Sequence, residues 1–332
     1  MKCVKVCNNL IEMINNENVI EGCVHSIFSS TINILVENRR LVSVIKSEKS
    51  LCPYSVLVEC DESFLDIPIK VGDVVYISKW DIKFRKIHLK ISKDTLDLSF
   101  KVIRKEKTDI HLVETKIKDL KKYLLLNGNR SGILSVLGEI ESIFIEGMSR
   151  KIVCSNSIYE NFASKVKLFI GCLSDRTFDN LSYITSNLVG FGIGLTPSSD
   201  DFLCGIMAAL LYGSSYTNYN SDYFLDIFEK MVLNIENRTT LVSENFLINS
   251  SKGVFPIFIK ELCSYLFSDD SYEKIELYRY MNKVLSYGET SGSDILCGIY
   301  IGTIINKEYF IGSEGSKLSS KNVDDSLVPF NF

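Results

Sequence analysis

Residues 190–205 read GFGIGLTPSSDDFLCG. Gly190, Gly192 and Gly194 permit backbone conformations closed to other residues and let a ligand approach the main chain. Thr196 and Ser198 are helix-capping types, and Pro197 suits a first helical turn. Asp200 and Asp201 follow where carboxylates favour the positive end of a helix. Ser198 and Asp201 have capping-box spacing, with Asp in place of Glu. A well-capped core helix entered by a flexible loop would need the same residues, so the stretch alone does not define a site.

A second stretch, GETSGSDILCGI at 288–299, repeats the pattern. Ser291 aligns with Ser198, Asp294 with Asp201, and the run Leu296, Cys297, Gly298, Ile299 with Leu203, Cys204, Gly205, Ile206. A glycine inside a helix costs roughly 1 kcal/mol relative to alanine. Two at equivalent places predict two helices that cross closely, with both N-termini opening on one pocket. Helix N–H groups and a glycine loop bind phosphate or carboxylate. Aspartates there accept hydrogen bonds from NH₂ groups or hold a hard cation such as Mg²⁺. The pocket suits a small ligand with an anionic end and an amide end.

The third element is NRTTLVSENF at 237–246, where Arg238 with Thr239 and Thr240 could clamp an oxyanion. The ordinary alternative is that Arg238 neutralises the C-terminus of one helix while Thr239 or Thr240 caps the next. No Ser–His or Cys–His dyad is readable, so the chemistry expected is positioning and electrostatic stabilisation rather than covalent catalysis. GFGIG lacks the third glycine at Rossmann spacing, and no βαβ unit follows, so nothing points to NAD. The ten cysteines make no CxxC pair and the three histidines stand apart, so nothing points to zinc or haem. Cys23 and His25 read as alternate positions of one strand.

These residues need a scaffold, and the chain divides into two parts. From about 19 to 100 it is rich in short β-branched runs: 31–36, 41–45, 55–60, 66–80 and 81–91. Val71-Gly72-Asp73 marks a turn, and the alternation slips at Arg85-Lys86, predicting a bulge or tight turn. Pro68 belongs at an edge or strand start. From about 108 the period becomes helical, as in Val113, Ile117, Leu120 and Leu124, and again over 222–238. The expected fold is α+β: a small N-terminal β-barrel or sandwich (1–106), then a mainly α-helical domain (107–332) carrying the motif. The polar tail from 312 is expected to be loose or docked by its last aromatics. A net charge of −4 without a basic stripe argues against nucleic acid. Runs 202–213 and 295–305 are too short for a membrane span and read as buried helices. With no signal peptide and unpaired thiols, the expected location is cytoplasmic.

LVGFGIGLTPSSDDFLCG resembles the Leu-Thr-Pro-Ser-Gly-Asp-Asp signature of the AllH-like family. GCVHSIFSSTINI (22–34) is similar to that family's N-terminal strand pattern, and RTTLVS and TSGSD resemble its later blocks. The matches run in order over roughly 20–305. The resemblance implies a subunit of oxamate carbamoyltransferase acting in allantoin breakdown with FdrA-like and AllG-like subunits. That enzyme interconverts oxalurate plus phosphate with oxamate plus carbamoyl phosphate. The candidate catalytic residues are Asp200, Asp201 and Arg238. Candidate substrate-binding residues are Gly192, Gly194, Thr196, Pro197, Ser198, Thr239, Thr240, Ser291, Gly292 and Asp294. Ser199 stands where the family commonly has glycine, and Glu289 where a less acidic residue is expected, so a changed ligand is open. The alternative is a non-catalytic subunit that binds a small anion or acts as a scaffold.

Overall fold

Among the described residues nine strands form the N-terminal part: β1 (Lys2–Cys7), β2 (Val19–Ile27), β3 (Thr31–Leu35), β4 (Leu41–Ile45), β5 (Ser55–Glu59), β6 (Val74–Ser78), β7 (Asp81–Lys83), β8 (His88–Lys90) and β9 (Thr95–Leu96). Helix α1 (Asn8–Glu17) follows β1. The computed structural model describes residues 1–99, 109–154, 156–217, 219–269 and 271–311. The strands make one sheet in the order β8-β7-β6-β2-β3-β4-β5-β1-β9. It curls into a half-barrel, bringing β8 towards β1. Pairing is antiparallel except for β4–β5 and β1–β9. Val6, Ile20, Val24, Ile32, Ile34, Val44, Val56 and Ile77 fill its core, on alternate positions as a half-buried sheet requires.

The β-rich, then helical order is as the sequence predicts. The slip at Arg85-Lys86 is the tight turn of the β7–β8 hairpin, and Gly72 turns with φ +89°. Cys23 and His25 share β2. Pro68 differs from expectation: it lies in a bend ahead of β6 rather than in a strand, because pairing starts only at Val74. The pattern also missed β1 and α1. The tail from 312 and the proposed boundary at 106/107 lie outside the described residues.

The second part holds α2 (Ile110–Asn127), α3 (Leu137–Glu146), α4 (Ser157–Asp175), α5 (Leu181–Leu188), α6 (Ser198–Tyr212), α7 (Ser221–Val232), α8 (Leu241–Ser251), α9 (Ile257–Leu266), α10 (Lys274–Leu285) and α11 (Ser291–Ile305). None of the described helices is long and apolar enough to cross a membrane. Helices α6 and α11 are central: every residue of α6 is buried, and nearly every residue of α11. The glycines predicted at their crossing do meet. A β-carbon on Gly298 would overlap the Phe202 carbonyl oxygen, and one on Gly205 would lie 3.0 Å from the Gly298 Cα. Backbone on both sides cannot yield, so only glycine allows the two helices this close.

Two attachments hold the sheet to the helices. The guanidinium of Arg39, between β3 and β4, donates to both carboxylate oxygens of Glu244 on α8, at 3.0 and 2.9 Å. Beside it the Leu41 N–H donates to the Asn245 side chain at 2.9 Å, and Asn245 donates to the Arg39 carbonyl at 2.8 Å. At the other attachment a small core of Cys7, Ile45, Leu51, Leu57, Leu98 and Val254 bridges sheet and helices. There the Ile257 N–H donates to the Leu51 carbonyl at 3.0 Å.

Candidate functional site

Between the sheet and the starts of α6 and α11 lies a cleft of about 1110 Å³. Gly190 to Thr196 and Ser198 form one side, Tyr287 to Ser291 a second, and Thr31, Asn33 and Ser43 of the sheet, with Phe28 of the β2–β3 turn, the facing wall. The glycine loop has left-handed φ values of +84°, +118° and +117° at Gly190, Gly192 and Gly194. At Gly192 a β-carbon would lie 2.6 Å from the Ser198 nitrogen, so the loop closes directly over the helix start. Phe191 anchors it, stacked 4.6 Å from Phe162.

The hydroxyls of Thr196 and Ser291 meet at 3.0 Å, tying the two helix starts together. Neither α6 nor α11 has a side-chain cap. Here the structure corrects the sequence reading. Pro197, with extended ψ of 145°, occupies the cap position itself, and Ser198 is the first helical residue. Neither Thr196 nor Ser198 caps, and no capping box forms, because Asp201 has no hydrogen-bonded partner to close it.

The three aspartates have different surroundings. Asp200 is fully buried and fully used. Its Oδ1 accepts from the Gly190 N–H at 2.8 Å and the Ser199 hydroxyl at 2.9 Å. Its Oδ2 accepts from Thr239 at 2.5 Å and Ser243 at 2.6 Å. Asp200 thus fastens the glycine loop to α6 and to the start of α8. Asp201, also fully buried, has neither oxygen at bonding geometry with a donor. Burial pushes its pKa well above the carboxylate range, the nearby Ser291 and Thr196 hydroxyls oppose this, and Asp294 and Asp200 add to it. Asp294 Oδ1 accepts from the Ile133 N–H at 2.7 Å, and its Oδ2 has no partner. Burial raises it to about 6, against the Ser198, Ile133 and Thr290 groups.

Asp294 therefore serves the short helical turn Ile133–Val136 rather than its own helix. The loop 128–132 wraps around the start of α11 to reach it. The Asn129 N–H donates to Ser293 at 2.8 Å, and a β-carbon on Gly132 would lie 2.7 Å from Asp294 Oδ2. Sequence reasoning missed this loop, although its two glycines, Gly128 and Gly132, are a visible signal. It also missed the sheet wall. There Asn33, nearly buried, accepts from Ser43 at 2.8 Å and donates to Ser26 at 3.0 Å.

Of the candidate residues, Gly192, Gly194, Thr196, Ser198 and Ser291 line the cleft, with Asp201 and Asp294 behind them. Thr240 caps α8, accepting from the Ser243 N–H at 3.1 Å, and also donates to the Leu195 carbonyl. Thr239 is spent on Asp200. Gly292 packs against α10, where a β-carbon would lie 2.8 Å from Leu285 Cα. Arg238 is exposed and absent from the lining. Helix α7 stops at Val232, so Arg238 follows it as loop, and its carbonyl backs Gly190. Glu289 is the one charged side chain among the described residues that line the cleft. No described cluster of three or more His, Cys, Asp or Glu could hold a metal.

Fold and cleft together define a two-part protein: a curled sheet set against a pair of crossed helices whose starts line one cleft. Residues 188–303 match the family described as oxamate carbamoyltransferase subunit AllH, and residues 2–98 match the AllH family N-terminal domain. The chain belongs to the AllH family. No solved structure matches it. Both matched regions contribute to the cleft, and the segment between them adds Ser131, Asn156 and Tyr159.

Proposed function

We propose that this chain binds the reactants of oxamate carbamoyltransferase in the cleft and helps to catalyse carbamoyl transfer between phosphate and oxamate. The observation that carries this reading is the pair of helix starts without side-chain caps under a glycine loop, facing a wall of hydroxyls and amides. The Ser199 and Gly292 N–H groups already donate to the Phe191 and Tyr287 carbonyls, so the first-residue N–H groups of Ser198 and Ser291 are the ones that suit the phosphate and carboxylate ends. Asn33, Ser43, Thr196, Ser198 and Ser291 suit the amide and ureido groups, each able to donate or accept. A cleft of about 1110 Å³ has room for two small acids at once. Asp201 and Asp294 sit behind the hydroxyls, and Asp200 holds the loop in place.

Partner subunits, FdrA-like and AllG-like by family resemblance, complete the enzyme. The second reading, a binding subunit without catalysis, draws support from the lining: Glu289 is its one charged side chain among the described residues, and Arg238 stands outside. Reconstitution separates the two. The chain with its partners is expected to form carbamoyl phosphate from oxalurate and phosphate, and Asp201→Asn to reduce that turnover by at least ~10-fold with assembly intact. Full turnover with Asp201→Asn supports the binding-subunit reading instead.

A further inference from the structure

Three carboxyl oxygens at the crossing of α6 and α11 are buried without a hydrogen-bond partner: both of Asp201 and Oδ2 of Asp294. A buried carboxylate left unsatisfied is strongly unfavourable, and a second one near enough to act on it makes it worse. The ionisable groups around them bring no relief. Asp200 from α6 and Asp294 from α11 both act on Asp201, and Asp201 acts on Tyr287 and Cys204. Asp294 acts on Cys297, Cys263 of α9 sits by Cys204, and Glu244 of α8 is committed to Arg39. Glu289 lies at the cleft.

We infer that Asp201 and Asp294 share one proton and pass it through the hydroxyls at the two helix starts to and from the substrate. Thr196 and Ser291 face Asp201, and Ser198 faces Asp294; all three also line the cleft. A hydroxyl donates and accepts at once, so a row of them carries a proton between carboxyl and ligand. Burial, which raises both groups, favours the shared-proton state. Asp200 is excluded, since four donors already occupy it.

The inference rests on the carbamoyl-transfer reading and gives it a proton path. In the direction of oxalurate breakdown, an oxygen of HPO₄²⁻ bonds to the ureido carbonyl carbon. The bond from that carbon to the oxamyl nitrogen breaks, and the nitrogen keeps the electron pair. It takes a proton from the carboxyl pair through one helix-start hydroxyl and becomes the NH₂ of oxamate. The phosphate proton returns to the pair through another. Carbamoyl phosphate and oxamate leave, and the pair holds one proton as before.

Two measurements test it. Infrared spectra of the full chain in mildly alkaline buffer are expected to contain a protonated-carboxyl band that Asp201→Asn removes. In the reconstituted complex, Asp201→Asn and Asp294→Asn are each expected to lower kcat ~100-fold and alter its pH profile, with oxalurate binding by calorimetry little changed. Absence of the band overturns the shared proton, whatever the turnover. A wild-type kcat and pH profile in both variants overturns the relay. Absence of turnover in the wild-type complex overturns the carbamoyl-transfer reading, while the infrared band still decides the pair.

Discussion

Asp200→Ala is expected to lower the unfolding free energy by about 3–5 kcal/mol. The alanine leaves four donors without this acceptor: the buried hydroxyls of Ser199 and Ser243, and the half-buried Gly190 N–H and Thr239 hydroxyl. These donors come from the glycine loop, α6 and the start of α8, so the loss frees all three at once. Asp200→Asn is expected to cost less, because the Thr239 and Ser243 hydroxyls can rotate to accept from the new NH₂ group. Denaturant unfolding checks both variants. An alanine variant within about 1 kcal/mol of wild type contradicts the anchoring role.

Asp294→Asn is expected to act with the opposite sign above pH 6. The folded-state pKa of Asp294 is raised from 3.8 to about 6, so between these values the folded protein holds more proton than the unfolded. Its stabilising contribution is present below 3.8 and is lost as pH rises through about 6. The loss amounts to about 3 kcal/mol at most. Asparagine keeps the acceptor for the Ile133 N–H and does not ionise. The unfolding free energy of the variant minus that of wild type should therefore rise across this window and level off above it. Asp201→Asn should shift stability in the same direction, since burial raises Asp201 too. A variant that gains stability while turnover falls is the mark of a group kept for chemistry rather than for folding. A flat difference curve contradicts the raised pKa.

The contrast among the aspartates explains what the sequence could and could not reveal. The β-branched runs over 31–36 and 41–45 and the helical period over 113–124 are local signals of buried strands and a one-sided helix, and so are readable. The echo of 198–206 in 291–299 reveals a close crossing, because glycine at matched positions has few other uses inside helices. Asp200, Asp201 and Asp294 look alike at that level. What separates them is which distant donor arrives: Thr239 and Ser243 for Asp200, and Ile133, 161 residues away, for Asp294. The sheet wall is hidden for the same reason. The β3–β4 pairing sets Asn33 opposite Ser43 on one face, and nothing in either run announces the glycine loop that stands across from them. Arg238 misled because charge and hydroxyl neighbours suggest an anion clamp, while the end of α7 at Val232 leaves its side chain outside.

Hydrogen exchange of the reconstituted complex, with and without oxalurate and phosphate, tests most directly that the cleft is where the substrate is handled. Ligand is expected to slow exchange together in three segments distant in sequence: 28–33 of the sheet, 190–202 of the glycine loop and α6, and 287–296 at the start of α11. Turnover accompanied by protection elsewhere, with these three segments unchanged, would contradict it.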